Sequence, residues 1–175
     1  MNRVLSCPVP SNINPLSPNG FMFSIARLPD LTYFCQEVPL PDISITAPEI
    51  ATPFVNYPVP GEKLNFGSLN VQFLVDSEMK NYKAIFNWLN GLGFPEDYEQ
   101  FAEQARSPLN LRTQPATVSD ATLTILNNSN LPIQTVQFVD CFPESLQSLN
   151  FTSTSQDVNY LVGNATFRYS HYRFV

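Results

Sequence analysis

The stretch from Phe34 to Pro95 narrows what this chain can become. It reads FCQEVPLPDISITAPEIATPFVNYPVPGEKLNFGSLNVQFLVDSEMKNYKAIFNWLNGLGFP. A short strand runs into a Leu-Pro corner at Leu40-Pro41. Pro48 to Pro60 then holds four prolines. Such a segment cannot sit inside a sheet, because each proline removes a ladder donor. It predicts a long hairpin that leaves the body, with its turn near Pro60-Gly61, a strong turn dipeptide. Ile43 and Ile45 alternate with Asp42 and Ser44, a half-buried strand pattern. After the hairpin, Leu69, Val71, Phe73 and Val75 alternate cleanly with Asn70 and Gln72.

A helix is predicted over Asp76–Gly91. Asp76 supplies a cap, Glu78 sits at the positive end, and Gly91 with Pro95 supplies the stop. Met79, Tyr82, Ile85, Phe86 and Leu89 fall at spacings of three and four and make its expected core face. Trp88 lies near the edge of that face. Elsewhere strands are predicted over Gly20–Leu28, Tyr33–Val38, Asp120–Leu126, Ile133–Cys141 and Tyr160–Tyr172. A turn is expected at Asp30-Leu31, a corner at Phe142-Pro143 followed by a short strand, and a short helix within Glu96–Arg106. The sum is a mainly β (α+β) chain: an antiparallel β-sandwich or partly closed barrel with one flanking amphipathic helix and a long extended hairpin. In domain terms, residues 1–19 form an extended N-terminal arm. Residues 20–175 form one β domain, with 48–66 as the projecting hairpin and 76–91 as the helix.

Composition narrows function. Charged residues are 14% and aromatics 13%, against a usual ~25% charged. A surface with so little charge fits a chain whose faces are covered in an assembly. Net charge is −6, which opposes gripping nucleic acid by its phosphates. Cys7, Cys35 and Cys141 are widely spaced, with no CxxC, so they read as reduced structural thiols. No secretion signal or membrane-spanning run is found. Asn150 and Asn164 match the glycosylation pattern, a chance match without a secretion signal.

Catalysis has little to work with. His171 is the single histidine, and no nucleophilic set can be built without it. Metal and phosphate motifs are absent. Glu96, Asp97 and Glu99 read as a solvated helix start rather than a cation site. No catalytic, cofactor or metal residue is predicted.

The ordered set of elements resembles the tail tube proteins of contractile-tailed, T4-like bacteriophages. The resemblance rests on Phe21-Met22-Phe23-Ser24-Ile25, on Phe34-Cys35-Gln36 through Leu40-Pro41, and on Pro58-Val59-Pro60-Gly61-Glu62-Lys63. It continues in Leu69-Asn70-Val71-Gln72-Phe73 followed by Asp76, in Ile85-Phe86-Asn87-Trp88, and in Ala165-Thr166-Phe167-Arg168-Tyr169. The resemblance covers nearly the whole chain and is most specific over residues 21–92. The arm before Gly20 and the segment Gly93–Ser119 depart from it.

It implies a structural protein of the virion tail, made in the host cytoplasm: a homo-hexameric ring, stacked on others into a tube whose bore passes DNA without specific binding. Tail sheath and baseplate or neck proteins would be its partners. Phe54, Val55, Tyr57, Val59, Gly61, Lys63 and Leu64 are the expected stacking residues. Six copies at −6 give −36 per ring, and acids such as Glu144 and Asp157 would line the bore and repel phosphates. Three alternatives stand beside the repeated tube subunit. One is a tube-end ring, either baseplate initiator or neck-side terminator. The others are a small-ligand-binding β-barrel and a hydrolase built on His171.

Overall fold

A computed structural model describes residues 13–93, 95, 99–106, 117–153 and 159–175. The elements in order are β1 (Phe21–Ile25), α1 (Pro29–Phe34), β2 (Cys35–Glu37), β3 (Ile43–Ile45), β4 (Glu49–Ala51), β5 (Asn56–Pro58) and β6 (Leu64–Phe66). Then follow β7 (Leu69–Leu74), α2 (Lys80–Gly93), α3 (Glu99–Arg106), β8 (Ser119–Leu126), β9 (Pro132–Leu146), β10 (Val162–Arg168) and β11 (His171–Phe174). The body is mainly β and antiparallel, as the patterning predicts.

Two sheets share the long strand β9. Its first half pairs with β8 and β11, and its second half with β10. β1 extends the first sheet beyond β8, while β7 and β2 extend the second beyond β10. The expected corner at Phe142-Pro143 lies elsewhere. β9 turns at Asp140, whose φ is 56°, within a register shift against β8. Pro143 is tolerated inside the strand because β9 is there an edge, paired on one side by β10, so a missing N–H breaks no second ladder. The predicted strand Tyr160–Tyr172 is likewise two strands, β10 and β11, on either side of Tyr169-Ser170.

The inward rows are apolar because alternate side chains share a face. Ile25, Ala121 and Phe138 lie side by side in one sheet. Leu69, Phe167 and Pro143 do so in the other. Phe23, Ile25, Leu69, Phe73, Phe138 and Phe167 are each at most 1% exposed. Phe73 lies across from Gly163, and a Cβ at Gly163 would meet its ring at 2.7 Å. Glycine there is what lets that ring lie flat on the sheet.

α1 stands where a turn and the start of a strand are predicted. Pro29 opens it and Asp30 sits in its first turn, both favourable at a helix start. The strand Tyr33–Val38 shrinks to Cys35–Glu37 in consequence. α2 begins at Lys80, four residues later than predicted, so Asp76 does not cap it directly. Asn81 ties the connection instead. Its buried side chain donates to the Leu74 carbonyl (2.7 Å) and accepts from the Asp76 and Tyr82 amides (3.2 and 2.8 Å).

The face of α2 that packs down runs through Asn81, Ile85, Trp88 and Gly91. Tyr82 and Leu89 are partly buried beside it. Phe86, expected in the core, is 48% exposed, and Met79 precedes the helix with φ 56°. Trp88 lies 6.3 Å from the Phe167 ring, donates to the Thr117 carbonyl (3.3 Å) and carries the buried Arg27 guanidinium 5.0 Å from its ring centre.

Burial pushes the thiol of Cys35 up to about 11 and that of Cys141 up to about 12. The thiolate is the reactive form. Both thiols should therefore resist an aromatic disulfide reagent at neutral pH in the folded chain and react on addition of denaturant. Fast modification of Cys141 without denaturant would contradict its burial. Cys7 lies outside the described residues, so its reactivity is to be scored separately by mass spectrometry.

Candidate assembly interface

The hairpin of residues 42–67 is a two-stranded arm paired to itself. β3 pairs with β6 in the register Ile43↔Phe66, Ser44↔Asn65, Ile45↔Leu64. β4 pairs with β5 as Glu49↔Pro58, Ile50↔Tyr57, Ala51↔Asn56. Between the two ladders the returning strand carries extra residues. Gly61 N–H donates to the Thr46 carbonyl (2.7 Å), and Val59 N–H to the Pro48 carbonyl (2.9 Å). The turn is therefore not at Pro60-Gly61. It lies at Thr52–Val55, where Thr52 N–H donates to the Val55 carbonyl (3.2 Å) and the Thr52 hydroxyl bonds the same oxygen. Gly61 has another role. A Cβ there would collide with the Thr46 carbonyl, so glycine permits the close approach at the bulge.

Every residue from Asp42 to Pro58 is exposed. Phe54 at the tip is 99% exposed, Val55 66%, Tyr57 61% and Leu64 56%. Of the remaining residues expected to stack, Lys63 is exposed while Val59 and Gly61 are half-buried. Ile43, Ile45 and Ile50 were not among them, yet each is about half exposed. Their alternation reads as a strand with one buried face, and here no body lies beneath it. Opposed residues share a face, so Ile43, Ile45, Leu64 and Phe66 form one apolar side. Ser44 and Asn65 form the other. Asn56 holds Glu49 (3.0 Å) across the outer ladder.

Among the described residues, the contacts that anchor the arm to the body lie at its root. Pro41 is buried. Phe66 meets Tyr172 and Tyr169 edge-on, with ring centres 5.4 and 6.2 Å apart. Tyr172 donates to the Pro41 carbonyl (3.4 Å). Phe138 packs on both tyrosines at 5.1 and 5.7 Å, so the cluster reaches the core. At the N-terminal side, Asn128 accepts from the Ser17 amide (3.1 Å) and donates to the Pro15 carbonyl (3.2 Å). These bonds hold residues 15–17 on the β8–β9 turn.

The outer sheet faces are mostly polar, with scattered charges. Ser24, Thr122, Gln137 and Arg173 make one row of the first sheet. Glu37, Gln72 and Asn164 make a row of the second, and Asn70, Thr166 and Ser145 another. Glu144, one of the acids expected to line the bore, is paired with Arg168 at 2.8 Å. Asp157 lies outside the described residues, as do Glu96 and Asp97. His171 is exposed, with Ser170 Oγ 2.8 Å from Nδ1. Among the described residues no group of three His, Cys, Asp or Glu side chains could hold a metal. No described helix is long and apolar enough to cross a membrane.

A β body with an exposed apolar arm and mostly polar outer faces has the attributes of an assembling subunit. The sequence profile of the family described as phage tail tube protein matches residues 13–175. The chain belongs to that family. It is a structural component of a phage tail, of the kind found in contractile, phage-like systems, and the family is not a class of enzymes. The tail tube terminator protein of Enterobacteria phage T4 is 27% identical over 167 residues, which span 91% of this chain and 89% of that protein.

Solved structures share the fold at lower identity. The tube-terminating cap of the anti-feeding prophage has a TM-score of 0.65 at 16% identity, covering 98% of both chains. A chain of the sheath-tube complex of the PVC extracellular contractile injection system has a TM-score of 0.62 at 19% identity, covering 93% of each chain.

Proposed function

We propose that this tail tube family member is the ring that ends the tube, in the neck-side terminator role, rather than the repeated tube subunit. The observation that carries this reading is the likeness to the T4 tube terminator along nearly the full length of both proteins. The fold match to a tube-terminating cap supports it. A homo-hexamer is the assembly that a six-fold tube requires of its end ring. The interface is heterologous, so each subunit presents one surface to a different surface on the next. The exposed arm, with Phe54, Val55, Tyr57 and Leu64, is the part that docks, either on a neighbour in the ring or on the last tube ring. Sheath or neck proteins cover the remaining exposed surface.

DNA passes the bore without specific contacts. Rows of Thr, Ser, Asn and Gln present no run of cations to phosphates. A bore lined by such rows slides DNA by neutrality, with the net −6 of each chain acting as a weaker, screened repulsion.

Copy number tests the reading. Quantitative mass spectrometry of purified virions should return about six copies of this chain per particle, the content of one ring. Several rings' worth would instead make it the repeated subunit. Negative-stain images of the purified protein should show discrete rings, and long tubes would argue for the repeated subunit in the same way. The repeated-subunit reading keeps one support, the comparable fold match to a chain of a sheath-tube complex.

A further inference from the structure

The root of the arm holds a buried hydroxyl donor on one side and an exposed carboxylate on the other. The Tyr169 hydroxyl is buried and has no hydrogen-bond partner among the described residues. Such a group is normally satisfied, and one left orphaned needs a reason. Its ring is fixed among Phe66, Phe138 and Tyr172, so the hydroxyl cannot swing out to water without breaking the cluster. Asp42 lies on the other side of the joint, at the first residue of the arm. Its carboxylate packs against Gly67, where any Cβ would collide with Oδ1. Among the described residues no side chain donates to that carboxylate. Phe66, whose ring meets Tyr169, is followed directly by Gly67, so both groups flank the same two residues of the returning strand. Burial first, then Tyr172 and the Asp42 charge, push the Tyr169 phenol up to about 12.

The joint itself is narrow. The two strands enter the arm at Pro41 and Gly67, joined by one backbone bond from Gly67 N–H to the Asp42 carbonyl (3.0 Å). Phe66 rests edge-on against two tyrosines, a contact that tolerates a change of tilt. Tyr172 reaches Pro41 through a long hydrogen bond of 3.4 Å, which is weak at that distance. A small rotation at this root would change the distance from Asp42 to Tyr169.

We propose that the arm root is a two-position joint, and that seating the arm on a neighbouring copy closes a hydrogen bond from the Tyr169 hydroxyl to the Asp42 carboxylate. The subunit alone then carries an unsatisfied hydroxyl, and the assembled one does not. Tyr169 is a positioning residue for docking, acting through Asp42. This inference rests on the reading of the arm as the docking element.

Tyr169→Phe and Asp42→Asn test it in the full chain, by melting of the isolated subunit and by association measured with analytical ultracentrifugation. Tyr169→Phe should leave the isolated subunit as stable as wild type or slightly more stable, because an orphan is removed. It should weaken association about tenfold or more, the worth of a hydrogen bond to a charged group. Asp42→Asn keeps an acceptor without the charge and should weaken association less. A clear drop in melting temperature for isolated Tyr169→Phe would show that the hydroxyl is already bonded in the subunit and would overturn the joint. Wild-type association by Tyr169→Phe would overturn the lock while leaving the docking role of the arm intact. A wild-type chain that associates neither with itself nor with tube fragments would sink the docking reading, and a chain that binds tube fragments but never itself would overturn the joint alone.

Discussion

A chain whose residues Ala47–Pro60 are replaced by Asn-Gly should melt within a few degrees of the full protein and fail to dock. Thr46 and Gly61 already face each other across the arm at 2.7 Å, and an Asn-Gly pair forms the tight turn that such a closing pair accepts. No residue between Asp42 and Pro58 is buried, so the excised piece contributes little to the body. A loss of about 1 kcal/mol shifts the melting point of a chain this size by about 2–4 °C. Docking loses far more. Ile50, Phe54, Val55 and Tyr57 are each at least 56% exposed, and burying an aliphatic or aromatic side chain of this size is worth about 1.5–3 kcal/mol. Their joint removal weakens association by at least ~10⁴-fold. Sedimentation of the variant, alone and with tube fragments, reads the second effect. Melting reads the first. Unfolding of the excised chain would make the arm part of the core, and unchanged docking would remove it from the interface.

The strands of the body were legible because each is solvated on one face. Phe21, Phe23 and Ile25, or Leu69, Val71 and Phe73, announce a period of two, and their rows form the core. The departures came where one residue carried two competing signals. Pro60-Gly61 is a stronger turn dipeptide than Thr52-Pro53-Phe54-Val55, yet Gly61 serves a close approach to Thr46 and the chain turns around the exposed Phe54. Pro29-Asp30 is a helix start, but the aromatic run Tyr33-Phe34 reads as strand and drew the prediction that way. Pro143 reads as a corner, whereas an edge strand accommodates it and Asp140 takes the bend. Exposure on the arm followed from its prolines. Which of its side chains share a face did not, because the extra residues between β5 and β6 shift the register in a way no local pattern records.

Trp88→Ala should cost about 3–5 kcal/mol, and Phe86→Ala close to nothing. The two positions are neighbours on one helix, and the sequence places Phe86 in the core and Trp88 at its margin. The helix starts at Lys80 rather than Asp76, and the buried residues Asn81, Ile85, Trp88 and Gly91 lie at steps of four, three and three. That turns Trp88 to 2% exposure and leaves Phe86 48% exposed. Trp88 fills the space over Phe167 and carries the Arg27 guanidinium on its face. Removing the indole leaves a cavity and deprives a buried cation of its aromatic partner, costs of the size seen for large aromatic truncations. At about 2–4 °C per kcal/mol, Trp88→Ala should melt roughly 10 °C or more below wild type. Phe86→Ala should stay within a few degrees, and any loss of association it brings would place the exposed ring in an interface. Equal melting points for the two variants would mean that the helix packs by the face the sequence suggests.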